Sequence, residues 1–124
     1  MNEQTYHRGQ IYYVYPRGYD YTGSEQGGGR PAIIVSNDVG NEYSSVVEVV
    51  FLTTREKKPL PTHVKIISSR QPSIALCEQI ETVDKGRIGN YINEVSQAEL
   101  KGIEKAILIS LDIATNIRGS KALE

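Results

Sequence analysis

Apolar and β-branched residues come in short runs over most of the chain, with turn-forming residues between them. Five such runs, each of the length and composition typical of a β-strand, occupy residues 9–16, 31–37, 46–54, 62–67 and 73–83. The third run is apolar at nearly every position, which predicts a central strand buried on both faces. A last short strand is compatible with residues 87–95. Strands at intervals of roughly ten residues indicate a small barrel or sandwich.

The carboxy-terminal part of the chain changes to a helical period. Its apolar residues recur at three- and four-residue steps, and Ser96 with Glu99 has the spacing of a capping box. Gly119 stands where a glycine often ends a helix, so a helix of about twenty residues is predicted. Ile109 and Ile113 widen its apolar face, which suggests burial on more than one side. We therefore expect a mainly β (α+β) fold, a small β-barrel with a carboxy-terminal helix.

A glycine-rich loop, RGYDYTGSEQGGGR, separates the first two predicted strands. Arg30 ends this loop and precedes Pro31, the first residue of the next strand, so its backbone is held while its side chain borders the loop. A guanidinium group presents five donors in a fixed fork that suits phosphate. These residues alone fit a phosphate-binding arginine and a surface arginine, solvated or paired with Glu25, equally well.

Composition and charge narrow the class of protein. A chain of 124 residues with no internal repeat favours a single domain. Because the net charge is −1, any nucleic-acid binding depends on a local basic cluster. The sequence shows neither a membrane-spanning stretch nor a signal peptide. Its single cysteine, Cys77, fits a reducing cytoplasm.

Other catalytic chemistries find little support in the sequence. His7 and His63 stand alone, and no HxxxH, CxxC or Walker pattern occurs, so we expect no metal and no cofactor. His63 fits a general base or, preferably, a partly packed strand histidine. Cys77 lies in the apolar run IALC and is expected to be buried and inert rather than nucleophilic. Thr53 and Thr54 lie at the end of a predicted strand. Their hydroxyl groups fit a functional site and an ordinary strand end equally well.

Five segments stand in a characteristic order and spacing, namely RGQIYYV, GSEQGGGRPAIIVSNDVGN, VVFLTT, LPTHV and LCEQIETVDKGRI. Together they resemble the MazF/PemK-type toxin endoribonucleases, over a single domain, residues 1–124, with its core at about 8–118. The resemblance implies an SH3-like barrel, a homodimer and a cognate antitoxin whose flexible tail occupies the RNA groove. It also implies sequence-specific cleavage of single-stranded RNA without a metal, which inhibits translation and growth.

The resemblance assigns roles to seven residues. Arg30 and Thr53 match the family's catalytic arginine and threonine. The RNA-contacting positions match Ser24, Glu25, Gln26, Ser73 and Gln79. In the implied reaction a 2′-hydroxyl attacks the adjacent phosphate, giving 2′,3′-cyclic phosphate and 5′-hydroxyl ends, while fixed donors stabilise the developing charge. A guanidinium with a pKa above about 12 is a poor proton acceptor, so Arg30, a water, the substrate or His63 all remain open for the proton transfers.

Further residues fit RNA binding without requiring it. Tyr19 and Tyr21 suit base stacking or packing of the loop onto the barrel. The segment REKKP and Arg17 supply local positive charge for an RNA backbone.

Two alternative functions stay open at the level of sequence. The first is a non-catalytic binding module on an SH3-like barrel, since a fold does not determine a function. The second is a gyrase-inhibiting toxin on a related barrel. The presence of both Arg30 and Thr53 favours the enzyme, and the tail NIRGSKALE offers nothing specific for gyrase inhibition.

Overall fold

Six strands and two α-helices make up the described part of the fold. The computed structural model describes residues 4–18 and 28–114. The elements in chain order are β1 (Gln10–Val14), β2 (Arg30–Ile34), α1 (Asp38–Tyr43), β3 (Val46–Thr53), β4 (His63–Ile66), β5 (Ser73–Asp84), a 3-10 helix (Lys85–Arg87), β6 (Ile88–Glu94) and α2 (Gln97–Ser110). The strands form one antiparallel sheet in the order β4-β5-β3-β2-β1-β6. The predicted mainly β fold with a carboxy-terminal helix is confirmed.

Strand β3 is the centre of the sheet, with β2 on one side and β5 on the other. Four consecutive residues from Val49 to Leu52 are buried. Since successive side chains of a strand point to opposite faces, consecutive burial means that both faces are covered. The prediction of a doubly buried central strand is confirmed over these positions.

Strand β5 bends and serves two neighbours. Its first part lies between β4 and β3 and pairs with both, and its last part pairs with β3 alone. Along β3 the pairing steps from Leu52 opposite Ala75 to Val50 opposite Ile80, so two steps on β3 match five on β5. This bulge curls the sheet. The two edge strands, β4 and β6, do not pair with each other. A side-chain hydrogen bond nevertheless joins the two edges, because Asn93 Nδ2 on β6 donates to the Ser68 carbonyl just after β4 at 2.8 Å.

Apolar side chains cover both faces of the curled sheet. One buried cluster lies between the sheet and α2, to which the helix contributes Ile103 and Ala106. The other cluster, on the opposite face, includes Phe51 and Val83 and is joined by Tyr6 from the amino-terminal segment. The carboxy-terminal helix therefore packs on the sheet as the sequence predicts.

The end of α2 differs from the prediction. The helix ends at Ser110 and spans 14 residues, so the expected length of about twenty residues is wrong. Asp112 takes the left-handed conformation with a φ of 57°, which aspartate tolerates better than most residues. Ile113 N then donates to the Leu108 carbonyl at 2.9 Å, which closes the helix end. Gly119, the predicted stop, lies outside the described residues.

The start of α2 confirms the capping box and extends it. Ser96 Oγ accepts from Glu99 N at 3.1 Å, and Glu99 Oε1 accepts from Ser96 N at 2.8 Å. The Glu99 carboxylate also accepts from Ile67 N at 2.7 Å and from Ser68 Oγ at 2.6 Å. Burial raises the pKa of Glu99, but these hydrogen bonds outweigh it and hold the pKa below its ordinary value. Glu99 thus ties the helix to the segment after β4.

We expect Glu99→Gln to lower the free energy of unfolding at neutral pH by about 1–2 kcal/mol, because it weakens charge-assisted hydrogen bonds at the helix start. A carboxyl whose pKa is lowered by folding stabilises the protein above its unfolded-state pKa, and this stability is lost as the pH falls through the folded pKa. Urea unfolding of variant and wild type should therefore converge below about pH 4. Glu42→Gln, on the exposed surface of α1, is the control. An equal difference at pH 3 and pH 7 would contradict this account.

Candidate active site

Arg30 and Thr53 stand at matching ends of neighbouring strands. Strands β2 and β3 pair with Ala32 opposite Phe51. Arg30 stands two residues before Ala32 and Thr53 two residues after Phe51, so the same register, continued to the strand ends, sets them opposite each other. Residues directly opposite one another project from the same face of a sheet, so the guanidinium and the hydroxyl share the face that carries Phe51.

These two side chains line one open cavity of about 610 Å³ at this end of the sheet. Ser73 and Gln79 line it as well. Four of the seven predicted site residues therefore come together. The other three predicted site residues lie outside the described residues, and these are Ser24, Glu25 and Gln26. Tyr19 and Tyr21 lie outside them as well.

Positive charge surrounds the cavity beyond Arg30. Arg55 and Lys57, both exposed and both from the charged segment after β3, also line it. Three cationic side chains thus border one recess of a chain whose net charge is −1. Such a local concentration of positive charge attracts phosphate groups even where the whole protein does not.

The guanidinium of Arg30 stacks on an aromatic ring. Its Cζ lies 4.4 Å from the centroid of Phe51, whose side chain is buried in the core. A cation–π contact of this kind is worth on the order of 1 kcal/mol and restrains the orientation of the guanidinium plane. A guanidinium group that covers a ring with its face keeps its in-plane N–H donors available for an anion. Sequence reasoning missed Phe51, although strand alternation places it two residues from Thr53 on the same face.

The Thr53 hydroxyl is oriented by the backbone that follows β3. Its Oγ1 accepts a hydrogen bond from Arg55 N at 3.1 Å. A hydroxyl that accepts from the backbone keeps its own proton for donation. Thr53 can therefore donate to an oxygen atom bound in the cavity.

The bend in β5 brings the last two residues to the cavity. Ser73 begins the strand and is largely buried, and its Oγ donates to the Gln71 carbonyl at 2.8 Å. Gln79 lies within the bulge, where a bent strand redirects its side chains. Neither position could be placed beside Arg30 from strand alternation alone, because the bulge breaks the alternation.

His63 does not line this cavity, and its side chain contacts Glu78 instead. Its Nε2 lies 3.2 Å from Glu78 Oε2, and Thr62 Oγ1 donates to Glu78 Oε1 at 2.8 Å. Burial raises the pKa of Glu78, but hydrogen bonds from the backbone, Thr62 and His63 have the larger combined effect and hold this pKa below its ordinary value. Glu78 is therefore ionised at neutral pH and holds the imidazole. The interpretation of His63 as a partly packed strand histidine fits these contacts better than that of a general base.

Cys77 is buried in the core between the strands. Burial, together with the charge of Glu78, raises the pKa of its thiol to about 12. A thiol with so high a pKa is almost entirely protonated at neutral pH and is a poor nucleophile. The expectation of a buried cysteine is confirmed, and the raised pKa supports the expectation that it is inert.

Comparisons with known proteins point to one family. Residues 7–111 match the family described as PemK-like, MazF-like toxin of type II toxin-antitoxin system. Endoribonuclease MazF of Staphylococcus saprophyticus is 45% identical to the chain over 105 residues, which are 81% of this chain and 87% of that protein.

Solved structures show the same likeness. An endoribonuclease in complex with its cognate antitoxin, from mycobacterial species, is 30% identical with a TM-score of 0.74, over 88% of this chain and 97% of that one. MazF from Deinococcus radiodurans has a TM-score of 0.73 over 90% of this chain and 100% of that one. At 19% identity, this second likeness concerns the fold alone.

We expect the Cys77 thiol of the folded protein to resist iodoacetamide at pH 8. With a pKa of about 12, only about one thiol in ten thousand is ionised at that pH, and burial also blocks access. Mass spectrometry of the alkylated protein measures the reaction. Thr54→Cys, which adds an exposed thiol, should be labelled once under the same conditions, and urea should make Cys77 reactive. Rapid labelling of the folded wild type would contradict the burial of Cys77.

Proposed function

The chain belongs to the PemK-like, MazF-like toxin family of type II toxin–antitoxin systems, and from that premise we propose how its site acts on RNA. The protein is an endoribonuclease toxin. Family membership favours this function over the binding module and the gyrase inhibitor. The observation that carries the catalytic proposal is the convergence of Arg30 and Thr53 on one basic cavity.

We propose that single-stranded RNA binds with its scissile phosphate between Arg30 and Thr53. The 2′-oxygen of the preceding ribose forms a bond to phosphorus, and the bond from phosphorus to the 5′-oxygen breaks. The products are a 2′,3′-cyclic phosphate and a 5′-hydroxyl. Arg30 donates to the non-bridging oxygens as their charge grows, and the Thr53 hydroxyl donates a further hydrogen bond. Fixed donors of this kind act without a metal ion.

The proton balance of the reaction needs one acceptor and one donor. The 2′-hydroxyl loses a proton, and the departing 5′-oxygen gains one. Arg30 is a poor acceptor because a guanidinium group stays protonated. His63 is held by Glu78 and is not among the residues that line the cavity, which favours a water molecule or the substrate itself as the acceptor.

Sequence recognition uses the residues around the scissile phosphate. We propose that Ser73 and Gln79, at the cavity wall, contact bases or backbone together with Ser24, Glu25 and Gln26. Exposed bases of single-stranded RNA are read through hydrogen bonds to their edges. Arg55 and Lys57 bind the backbone, so affinity should fall steeply with salt. Cleavage of mRNA then inhibits translation and growth.

The partner of the toxin is a cognate antitoxin. A solved relative at 30% identity is described as being in complex with its cognate antitoxin. We propose that a flexible antitoxin segment occupies the cavity of Arg30 and Thr53 and thereby excludes RNA. The solitary Cys77 supports the cytoplasm as the place of action, and no helix in the described part of the chain is long and apolar enough to cross a membrane.

We further propose that the chain is a single domain, with its core at about residues 8–118, and that it forms a homodimer. The last turn of α2 and the residues that follow it expose large apolar side chains. Ile109, Leu111 and Ile113 are 46%, 53% and 47% exposed. Grouped apolar exposure of this kind is typical of an association surface. A second copy of the chain is the proposed occupant.

Cleavage of a long single-stranded RNA in the presence of EDTA tests the mechanism. Wild type should cut at a short recurring sequence and leave 5′-hydroxyl ends, which a kinase can label directly. Arg30→Ala and Thr53→Val should each cut about 10²–10³-fold more slowly, because each removes a donor to the developing charge.

Thr82→Val is the matched control for this experiment, since Thr82 is an exposed threonine of β5 whose hydroxyl bonds to Glu48. It should cut at the wild-type rate. No cleavage by the wild type in EDTA, or equal cleavage by Arg30→Ala, would refute the mechanism. Binding without cleavage would favour the non-catalytic module.

Sedimentation at micromolar concentration tests the assembly. We expect a particle of twice the 13.8 kDa chain mass. The double variant Ile109→Glu and Ile113→Glu should sediment as a monomer, because burying the new carboxylates is costly. Val39→Glu, at another exposed apolar position, should leave the dimer intact. A monomer-sized wild-type particle would refute the proposal.

A further inference from the structure

A second, smaller cavity adjoins the active site and shares Arg30 with it. Its volume is about 310 Å³, and its wall includes Arg17, Glu81 and Arg87. Arg30 lines both this cavity and the one that contains Thr53. We call this second cavity the arginine recess. The two cavities are therefore neighbours along the surface, with one guanidinium between them.

Arg87 is held firmly in the wall of the arginine recess. Its Nε donates to the Tyr15 carbonyl at 2.7 Å, and Tyr15 N donates back to the Arg87 carbonyl at 2.9 Å. Its side chain is only 15% exposed, and Nη1 lies 3.8 Å from Glu81 Oε2, beyond hydrogen-bond distance. The guanidinium is thus oriented through Nε, while its terminal nitrogens make no direct hydrogen bond to Glu81.

Close packing around Tyr15 supports this arrangement. The ring is buried, and Gly29 and Gly89 approach it from its two edges. A Cβ at Gly29 would lie 2.9 Å from Tyr15 Cε1, and a Cβ at Gly89 would come closer still to Cε2. Glycine at both positions permits this approach. The wall behind Arg87 is therefore closely packed, which favours a preorganised binding site.

Charge in the arginine recess is mainly positive. Three arginines, Arg17, Arg30 and Arg87, line it with a single carboxylate, Glu81. Arg17 is exposed, and Glu81 is half exposed. The planar fork of a guanidinium group pairs well with two oxygens of a phosphate. The recess thus has the charge and donor geometry of a phosphate site.

We propose that the arginine recess binds the RNA phosphate next to the scissile one. This inference rests on the proposed function, which places the scissile phosphate between Arg30 and Thr53. An RNA strand that crosses Arg30 brings successive phosphates to the two cavities, because they adjoin at that residue. Arg17 and Arg87 are therefore positioning residues, which hold the strand in register and do not touch the bond that breaks.

The salt dependence of binding tests the recess independently of cleavage. The probe is a fluorescent 2′-O-methyl uridine 12-mer, which lacks the attacking hydroxyl and cannot be cut. Loss of one phosphate contact lowers the slope of log affinity against log salt by about 0.7 for a single strand. Arg17→Gln should show this decrease in fluorescence anisotropy titrations. Lys65→Gln, which removes an exposed charge from β4 outside both cavities, should keep the wild-type slope.

A second experiment locates the phosphate. RNA that carries the mapped cleavage sequence, with 2′-deoxyribose at the cleaved nucleotide, is made with one neutral methylphosphonate at each linkage in turn. One linkage flanking the scissile phosphate should weaken wild-type binding about five- to tenfold. The same substitution should cost Arg17→Gln less than about twofold, because the contact is already lost.

Arg87→Lys separates positioning from a purely structural role. It keeps the charge and loses the fork, so KM should rise about five- to tenfold with kcat nearly unchanged. Thermal unfolding checks that the fold is intact, and a fall in kcat with an unchanged KM would overturn the assignment of Arg87.

Equal salt slopes for wild type and Arg17→Gln, or equal methylphosphonate penalties, would overturn the proposal of a phosphate recess. Loss of antitoxin binding in Arg17→Gln together with unchanged RNA binding would assign the recess to a carboxylate of the antitoxin instead. Binding of the uncut probe that depends on Arg17, without any cleavage by the wild type, would support the recess and refute only the catalytic proposal.

Discussion

The register between β2 and β3 is the constraint on which the site depends. It sets Ala32 opposite Phe51, and two residues further along each strand it brings Arg30 and Thr53 to the same end of the sheet. A slip by one residue would move every side chain of β2 to the other face. The buried residues on both faces of these strands prevent such a slip, because it would expose apolar groups to water. The position of a charged arginine at the cavity is thus maintained by uncharged residues further along the same strand.

The bulge in β5 connects the core to the site. It lies between two stretches of β5 that both pair with β3, and the first of them also pairs with β4. The same bend brings Ser73 and Gln79 to the cavity that Arg30 and Thr53 line. Bulges often redirect side chains next to active sites. Here the feature that curls the sheet also completes the site.

Electrostatics explain how a slightly acidic chain acts on RNA. The net charge is −1, yet arginine and lysine side chains gather at the two adjoining cavities. In the proposed mode of binding, counterion release at these cavities drives association, and the overall charge matters little. The stacking of Arg30 on Phe51 adds a fixed orientation to this charge. An acidic or carboxylate-bearing partner can compete for the same groups, which provides a physical basis for inhibition by an antitoxin.

The sequence by itself determined the strands, the capping box of α2, the burial of Cys77 and the family, because hydrophobic period, capping spacing and motifs are local. The sequence did not predict the length of α2. The left-handed conformation of Asp112 ends the helix, and the spacing of apolar residues does not indicate this conformation. Only the tertiary structure decided that Arg30 rests on Phe51, that His63 pairs with Glu78, and that Arg87 lies beside Arg30. Those contacts join residues that are distant in the chain. They depend on strand register and on a bulge, and the sequence of one segment alone predicts neither.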